Sequence, residues 1–198
     1  MPCRHLLVYL HGHGSSPDEV IDTVMQLDPE RDFVTITPEA PIALPDGGGS
    51  WFLNGTRGVD PRSIGDAIAW VGDVMTGCMD DLDVDSERVV LAGFSQGAAL
   101  AVAIAARYPK RLGGLLLQAP FVPEGLDLEL DPGTTQPLPV LIQHGATDAV
   151  VPEFLGRDLA AVLSAAGSSV SFESLACGHE RAPAMLDGAR RWLRALVD

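Results

Sequence analysis

Ser95 stands between two glycines, Gly93 and Gly97, where an apolar run typical of a strand meets an apolar run typical of a helix. The strand-like run covers residues 88–92 and the helix-like run covers residues 98–106. A sharp strand-to-helix turn lifts a hydroxyl clear of the backbone and crowds the positions two residues away on each side. Glycine fits such crowding. The pattern therefore predicts Ser95 as a nucleophile, with an ordinary Gly-Ser turn as the alternative.

A serine nucleophile needs a base to take its proton and a carboxylate to orient that base. Asp148 follows a strand-like run at 139–144, and His179 follows another at 169–175. Both come after Ser95, in the order serine, acid, histidine that is found in hydrolases built on an α/β sheet. Asp148 and His179 are therefore the predicted acid and base.

Each partner also has a plainer interpretation. Asp148 could cap a helix that begins near Pro152, because Asp favours the position before a helix and Pro favours its first turn. His179 could be an ordinary loop histidine, and Asp187 or Glu180 could be its carboxylate partner instead. The remaining histidines open or end strand-like runs or precede the serine: His5, His11, His13 and His144.

A tetrahedral intermediate needs hydrogen-bond donors aimed at its oxyanion. Residues 6–10 form a short apolar run that leads into a glycine-rich turn at 11–14, as in the oxyanion loop of lipases and esterases. The predicted donors are the backbone N–H groups of His13 and of Gln96, the residue after the serine. A metal pair at His11 and His13 is the alternative. No third ligand stands at short spacing, so no metal is predicted.

Five ordered motifs resemble those of the phospholipase/carboxylesterase family of small serine hydrolases, which includes acyl-protein thioesterases and bacterial carboxylesterases. The resemblance covers nearly the whole chain. It implies Ser95 as nucleophile, Asp148 and His179 as its partners, and the N–H groups of His13 and Gln96 as the oxyanion hole. The motifs lie at residues 10–14, 50–52, 93–97, 144–152 and 178–180.

Two segments lack clear periodicity, and this fold would place both near the rim of the active site. Residues 38–61 are rich in Pro and Gly, and the resemblance places Trp51 of this segment along the substrate groove. Packing of Trp51 onto the core is the alternative. Residues 120–139 are acidic and are expected to form a small flap or a solvated connector. The groove is expected to be open and shallow. The predicted substrate contacts are Trp51, Phe52, Phe121 and Val151.

Strand-like and helix-like runs alternate along the chain, and several strand-like runs are continuously apolar, as in parallel strands covered on both faces. With the resemblance, this predicts an α/β-hydrolase fold: a mostly parallel sheet of about six to seven strands, helices on both faces and no large cap domain. One domain over residues 1–198 is expected. The strand-like runs are 5–10, 33–37, 88–92, 113–119, 139–144 and 169–175, and helical stripes cover 64–82, 155–166 and 185–196.

Composition limits the partners. A formal net charge of −14 disfavours nucleic acid, anionic membrane surfaces and polyanionic substrates. The absence of a long apolar run and of a signal peptide leads us to expect a cytoplasmic protein. Three cysteines without CxxC spacing predict reduced thiols. Cys177, close to His179, is interpreted as a structural thiol and not as a nucleophile. The oligomeric state is left open between monomer and homodimer.

The predicted function is hydrolysis of carboxylic esters with short to medium acyl chains, through an acyl-enzyme and without a cofactor. The expected partner is a small-molecule ester or thioester. Acyl thioesterase or lysophospholipase activity is the nearest alternative. A non-catalytic binding module on a hydrolase scaffold is the alternative from a different class of function.

Overall fold

A parallel sheet of six strands lies at the centre of the protein. The computed structural model describes residues 5–55, 58–128, 130–131 and 137–197. The spatial order of the strands is β6-β5-β4-β3-β1-β2, and every neighbouring pair is parallel. Each strand falls on one of the predicted runs, so the predicted parallel sheet is confirmed. The strands are β1 (His5–Leu10), β2 (Phe33–Ile36), β3 (Val89–Phe94), β4 (Gly114–Gln118), β5 (Pro139–Gly145) and β6 (Ser169–Leu175).

The described ranges contain five α-helices, of which four connect strands and the fifth follows the last strand. The apolar stripes predicted for α2, α4 and α5 correspond to real helices, and α3 is buried along its whole length. None of the described helices is both long enough and apolar enough to cross a bilayer. The helices are α1 (Pro17–Leu27), α2 (Pro61–Leu82), α3 (Gln96–Ala105), α4 (Glu153–Ala165) and α5 (Pro183–Val197).

Both faces of the sheet are apolar and covered. Successive side chains of a strand point to opposite faces, and β1 shows the consequence. Leu6 and Val8 pack on the face covered by α2, α3 and α4, whereas Leu7 and Tyr9 pack on the face covered by α1 and α5. The helices therefore lie on both faces, as in the predicted α/β-hydrolase fold.

The carboxyl ends of the strands meet at one edge of the sheet, because all six run in the same direction. The loops that leave β1, β3, β5 and β6 at this edge carry the predicted site residues. Two short antiparallel ribbons in the segment 38–61 lie beside them: Ile42–Ala43 pairs with Gly49–Ser50, and Asn54–Gly55 pairs with Gly58–Val59.

Candidate active site

Ser95 occupies the turn between β3 and α3, in a backbone conformation that few residues other than glycine adopt. Its φ is 54° and its ψ is −118°, a strained region that costs on the order of 1–3 kcal/mol. The Ser95 N–H donates to Gln118 O at 2.8 Å, and Ser95 O accepts from the N–H of Ala99 at 3.0 Å. The structure thus contains the sharp strand-to-helix turn that the sequence predicts.

Gly93 and Gly97 leave no room for a side chain, as the elbow pattern predicts. A Cβ atom on Gly93 would lie 2.5 Å from Gly97 C, and one on Gly97 would lie 2.1 Å from Leu10 O. Both distances are well inside van der Waals contact. The two glycines therefore allow the backbones of β1, β3 and α3 to approach each other at the serine.

Loops after two neighbouring strands bring Asp148 and His179 to Ser95. His179 Nε2 lies 3.0 Å from Ser95 Oγ, and His179 Nδ1 lies 2.7 Å from Asp148 Oδ2. A carboxylate only accepts hydrogen bonds, so Nδ1 carries the proton of the neutral ring and Nε2 can accept from the serine hydroxyl. The three side chains lie within the reach that proton transfer from a serine requires.

Gly145 allows the acid loop and the histidine loop to touch. A Cβ atom at this position would lie 2.3 Å from Gly178 O. Thr147 adds two hydrogen bonds to Cys177 O, from its N–H at 3.1 Å and from its hydroxyl at 2.9 Å. The distance between Asp148 and His179 is therefore fixed by the backbone contacts of their two loops.

The Asp148 carboxylate is buried, and both of its oxygens accept hydrogen bonds. Its Oδ1 accepts from the backbone N–H of Val150 at 2.9 Å and of Val151 at 2.8 Å. Burial raises the pKa of Asp148, but the hydrogen bonds from His179, Val151 and Val150 outweigh burial and hold that pKa below its ordinary value. The carboxylate therefore stays charged at neutral pH, as an acid that orients a histidine must.

The alternative carboxylates do not bind His179. Asp187 is an exposed residue whose carboxylate pairs with Arg190 at 3.3 Å, and Glu180 is also exposed to solvent. Asp148 does not cap α4 either, because the N-cap position of that helix is Pro152. The structure thus brings together the predicted set of Ser95, His179 and Asp148.

The backbone N–H groups of His13 and Gln96 have no hydrogen-bond acceptor within the described ranges. Gln96 begins α3, where the N–H groups of the first turn lack an intrahelical acceptor. His13 lies in the turn after β1, and both residues line the same groove as Ser95. Two free donors in this groove could receive an oxyanion.

A groove of about 390 Å³ opens beside Ser95. Three of the predicted substrate contacts, Phe52, Phe121 and Val151, line it. Several lining residues were missed, because Leu155 belongs to a helical stripe that looks like core and the others carry no sequence motif. The full lining is His13, Ser50, Phe52, Leu53, Asn54, Ser95, Gln96, Phe121, Val150, Val151 and Leu155.

Trp51 does not line this groove, and its predicted role as a substrate contact is wrong. Its side chain is fully buried, its indole N–H donates to His11 O at 2.7 Å, and its ring lies 5.0 Å from the His11 ring. Neighbouring residues of an extended segment point to opposite sides. In this structure Phe52 lines the groove, while Trp51 packs the segment 38–61 onto the core.

The Gln96 side chain ties the first rim segment to the elbow. Its Oε1 accepts from the backbone N–H of Trp51 at 2.9 Å, and its Nε2 donates to Phe52 O at 2.9 Å. The same Nε2 lies 3.1 Å from Ser50 Oγ, which is also 3.1 Å from His13 Nδ1. The Gln96 side chain thus holds one wall of the groove directly and is linked through Ser50 to the turn after β1.

His11 and His13 have separate hydrogen-bond partners. His11 is buried and its Nδ1 donates to Gly12 O at 2.8 Å, and burial lowers the pKa of its imidazole. His13 is exposed and turns toward Ser50. Among the described residues, no three His, Cys, Asp or Glu side chains converge as metal ligands would.

Cys78 and Cys177 are free thiols, and Cys3 lies outside the described residues. Burial raises the pKa of the Cys177 thiol, and the nearby carboxylates of Glu180 and Asp148 raise it further. A protonated thiol is a poor nucleophile, which agrees with the structural role predicted for Cys177.

The described part of the segment 120–139 packs against the protein. Phe121, Leu126 and Leu128 contact the main hydrophobic core, and Glu124 O accepts from the N–H of Val59 at 2.8 Å. These contacts differ from the expectation of a solvated connector. Phe121 contributes a wall of the groove instead.

A parallel sheet that carries a serine elbow, an acid loop and a histidine loop at its carboxyl edge has the architecture of an α/β-hydrolase. The chain belongs to the phospholipase/carboxylesterase family, whose sequence profile matches residues 1–197. It is therefore a hydrolase of the carboxylesterase type. The family resemblance seen in the five sequence motifs is confirmed.

Similar proteins agree with this assignment. Acyl-protein thioesterase 1 homolog 1 of Dictyostelium discoideum is 25% identical over 194 residues, which are 91% of this chain and 85% of that protein. A probable carboxylesterase of Oryza sativa subsp. japonica is 26% identical over 204 residues, 95% of this chain and 86% of that protein. The crystal structure of Arabidopsis thaliana SOBER1 superposes with a TM-score of 0.84 at 23% identity, covering 99% of this chain and all of that one, which shows a shared fold.

Proposed function

We propose that the protein is a serine esterase that hydrolyses carboxylic esters with short to medium acyl chains through an acyl-enzyme. The observation that carries the proposal is the continuous hydrogen-bonded series from Ser95 to His179 to Asp148, with distances of 3.0 Å and 2.7 Å. The strained elbow and the two free N–H groups in the same groove add to it. A non-catalytic binding module would need none of these features.

Acylation would follow from the geometry. Ser95 Oγ attacks the ester carbonyl carbon while its proton moves to His179 Nε2, and Asp148 stabilises the imidazolium that forms. The carbonyl oxygen becomes an oxyanion that accepts from the N–H groups of His13 and Gln96. His179 then gives its proton to the leaving alkoxide oxygen, so that an alcohol departs and the acyl group stays on Ser95.

Deacylation uses the same groups in reverse. His179 Nε2 takes a proton from a water molecule, and the resulting hydroxide attacks the acyl carbon. The second tetrahedral intermediate is held by the same two N–H groups, and the proton on His179 returns to Ser95 Oγ. A carboxylic acid leaves, and the protonation states of Ser95 and His179 are those of the starting enzyme.

The size and apolar lining of the groove support the proposed short to medium acyl chain. Its volume of about 390 Å³ lies near the small end of the range of about 300–1,000 Å³ usual for small-molecule sites. Its walls at Phe52, Phe121, Val151 and Leu155 are apolar, which suits an alkyl chain. The net charge of −14 favours a neutral ester over a polyanionic one. We also propose a cytoplasmic location for the protein.

A thioester is the second candidate substrate, because several similar proteins carry the name acyl-protein thioesterase. The proposed chemistry is the same for both, since a thiolate leaves in place of an alkoxide. Turnover of matched pairs, an oxygen ester and a thioester of the same acyl group, separates the two. Higher kcat/KM for the oxygen ester is expected.

A fluorophosphonate probe tests the proposal, because it reacts only with an activated serine. The wild-type protein should be labelled, and Ser95→Ala should lose labelling and about 10³-fold to about 10⁶-fold of its kcat. Esters of p-nitrophenol from acetyl to palmitoyl should show a maximum between butyryl and octanoyl. Normal turnover by Ser95→Ala would overturn the assignment, and a rate that rises steadily to palmitoyl would overturn the proposed chain length.

A further inference from the structure

A second imidazole, that of His144, lies close to the Asp148 carboxylate. His144 is the last residue but one of β5, and its side chain is fully buried. Its Nε2 lies 2.8 Å from Val151 O and 3.7 Å from Asp148 Oδ2. The first distance is a hydrogen bond and the second is too long for one. His144 therefore contacts the acid loop chiefly through Val151.

The contacts of His144 fix its tautomer. A carbonyl oxygen only accepts, so Nε2 of His144 carries a proton and donates to Val151 O. The other ring nitrogen, Nδ1, is buried and has no hydrogen-bond partner among the described residues. Gly156 of α4 makes room for the ring, because a Cβ atom there would lie 2.4 Å from Nδ1. The ring is held in one orientation between the acid loop and α4.

Val151 connects this histidine to the reacting groups. Its carbonyl accepts from His144, and its N–H donates to Asp148 Oδ1 at 2.8 Å. Asp148 Oδ2 in turn accepts from His179, which reaches Ser95. By holding the Val151 peptide, His144 also holds the N–H group that donates to Asp148 Oδ1. The other oxygen of the same carboxylate, Oδ2, orients His179.

We propose that His144 is a positioning residue for Asp148. Its Nε2–H holds the turn at residues 148–151 in the shape that aims the carboxylate at His179. The inference rests on the proposed function, since it assigns a role within the same catalytic apparatus. His144 is not among the described residues that line the groove, and its hydrogen bond goes to Val151 and not to Ser95 or His179, so we expect its effect on turnover to pass through Asp148.

The charged groups around the two histidines are few. His144 faces Asp148 of its own loop and Glu153 of α4, and Glu153 pairs with Arg157 at 3.0 Å. On β6 its partner in register is Ser174, which is uncharged. His179 faces Asp148, and the guanidinium of Arg181 lies beyond the Phe94 ring that His179 contacts. Variants of His144 leave all of these groups in place.

Two substitutions separate hydrogen bonding from packing. His144→Gln keeps an N–H donor at about the same reach, whereas His144→Leu keeps bulk and removes the donor. His144→Leu should lower kcat by about tenfold to about a hundredfold per fluorophosphonate-reactive site with KM unchanged, as small misplacements of catalytic groups do. The acid limb of its kcat/KM profile should move to lower pH, because the imidazolium of His179 loses part of its carboxylate. His144→Gln should stay within a few-fold of the wild type.

The control is Leu163→Ala, which removes a buried side chain of α4 far from the acid loop. It should lower the melting temperature without changing kcat per reactive site or the pH profile. If His144→Leu does not fold, Gly156→Ala carries the test, because its Cβ displaces the imidazole while every reacting residue remains. Gly156→Ala should then show the same loss of kcat and the same shift of the acid limb.

Three results would overturn the inference: wild-type kcat per site in His144→Leu or Gly156→Ala, an unmoved acid limb, or equal damage in His144→Gln and His144→Leu. These differ from failure of the proposed function, which is read from Ser95→Ala alone. If Ser95→Ala is inactive and His144→Leu is fully active, only the role proposed for His144 is wrong. An active Ser95→Ala sinks the proposed function itself.

Discussion

The two halves of the candidate site are built in different ways. At the proposed reacting centre, formed by Ser95, His179 and Asp148, polar atoms are held by other polar atoms and by contacts between loops. The groove beside it is walled by apolar side chains from several segments. Two of them are open to solvent, with Leu53 49% and Val150 69% exposed.

The reacting centre therefore tolerates few residue types, whereas the groove wall tolerates many. Proton transfer fails when donor and acceptor move apart, so the reacting centre needs close approach and few residue types satisfy it. Binding of an alkyl chain requires only apolar surface, which many side chains provide in many arrangements. Substitutions at the reacting centre should therefore change the rate for every substrate, and substitutions in the groove should change the choice among substrates.

After Ser95→Ala, the largest expected effect is that of Asp148→Asn. The amide cannot hold His179 in the required tautomer, so kcat should fall by up to about 10⁴-fold while KM changes little. The matched control is Asp187→Asn, at an exposed carboxylate paired with Arg190, which should behave like the wild type. Steady-state kinetics with one p-nitrophenyl ester measure both. The reverse pattern would place the orienting acid elsewhere.

Trp51→Ala should lower stability without changing specificity. The indole is fully buried, and loss of a buried Trp costs about 3–5 kcal/mol of the free energy of unfolding. Because Phe52 and not Trp51 faces the groove, kcat/KM should fall by one common factor for acetyl, butyryl, hexanoyl and octanoyl esters. Chemical denaturation and the ester series measure the two effects. A changed order of preference among the four esters would show that Trp51 contacts the acyl group after all.

Gly97→Ala should damage the reacting centre through the backbone. The new methyl group would meet Leu10 O at 2.1 Å, and relief of such overlap costs about 1–3 kcal/mol and displaces Ser95. Gly65→Ala is the control, since its Cβ would have no heavy atom within 4 Å and a helix gains about 0.5–1 kcal/mol from such a change. Loss of kcat in both variants, or in neither, would contradict the role given to Gly97.

Val150→Ala should have the smallest effect on stability and a selective effect on substrates. This exposed side chain lines the groove, so the ratio of kcat/KM between octanoyl and acetyl esters should change by about 1 kcal/mol or somewhat more. Val162→Ala, at a half-exposed position of α4 outside the groove lining, should leave the ratio unchanged. An identical ratio in Val150→Ala and the wild type would remove Val150 from the acyl contacts.

The sequence predicted the positions of the reacting centre better than the lining of the groove, because close approach of polar groups restricts residue types and an apolar wall does not. Gly93, Ser95 and Gly97 form a pattern because the elbow excludes most other residues, and the chain order of Asp148 and His179 follows from the parallel sheet. Nothing in the local sequence decides which of two adjacent aromatic residues faces outward. That is why the prediction for Trp51, which is fully buried, is wrong although its neighbour Phe52 lines the groove.

Two other groups could not be predicted because their roles depend on tertiary contacts. Leu155 belongs to a helical stripe, and helical periodicity does not distinguish a groove wall from the core. His144 ends the predicted strand and is the last residue but one of β5. Its contact with the Val151 carbonyl depends on the shape of the turn at residues 148–151, which no local pattern specifies.

The most direct test of the central claim is to find where the acyl group resides during turnover. The protein is mixed with p-nitrophenyl butyrate, quenched rapidly in acid, digested and examined by mass spectrometry. A butyryl adduct on the peptide that contains Ser95, and its loss in Ser95→Ala together with turnover, is the expected result. An adduct at another residue such as Cys177, or unchanged hydrolysis by Ser95→Ala, would contradict the account.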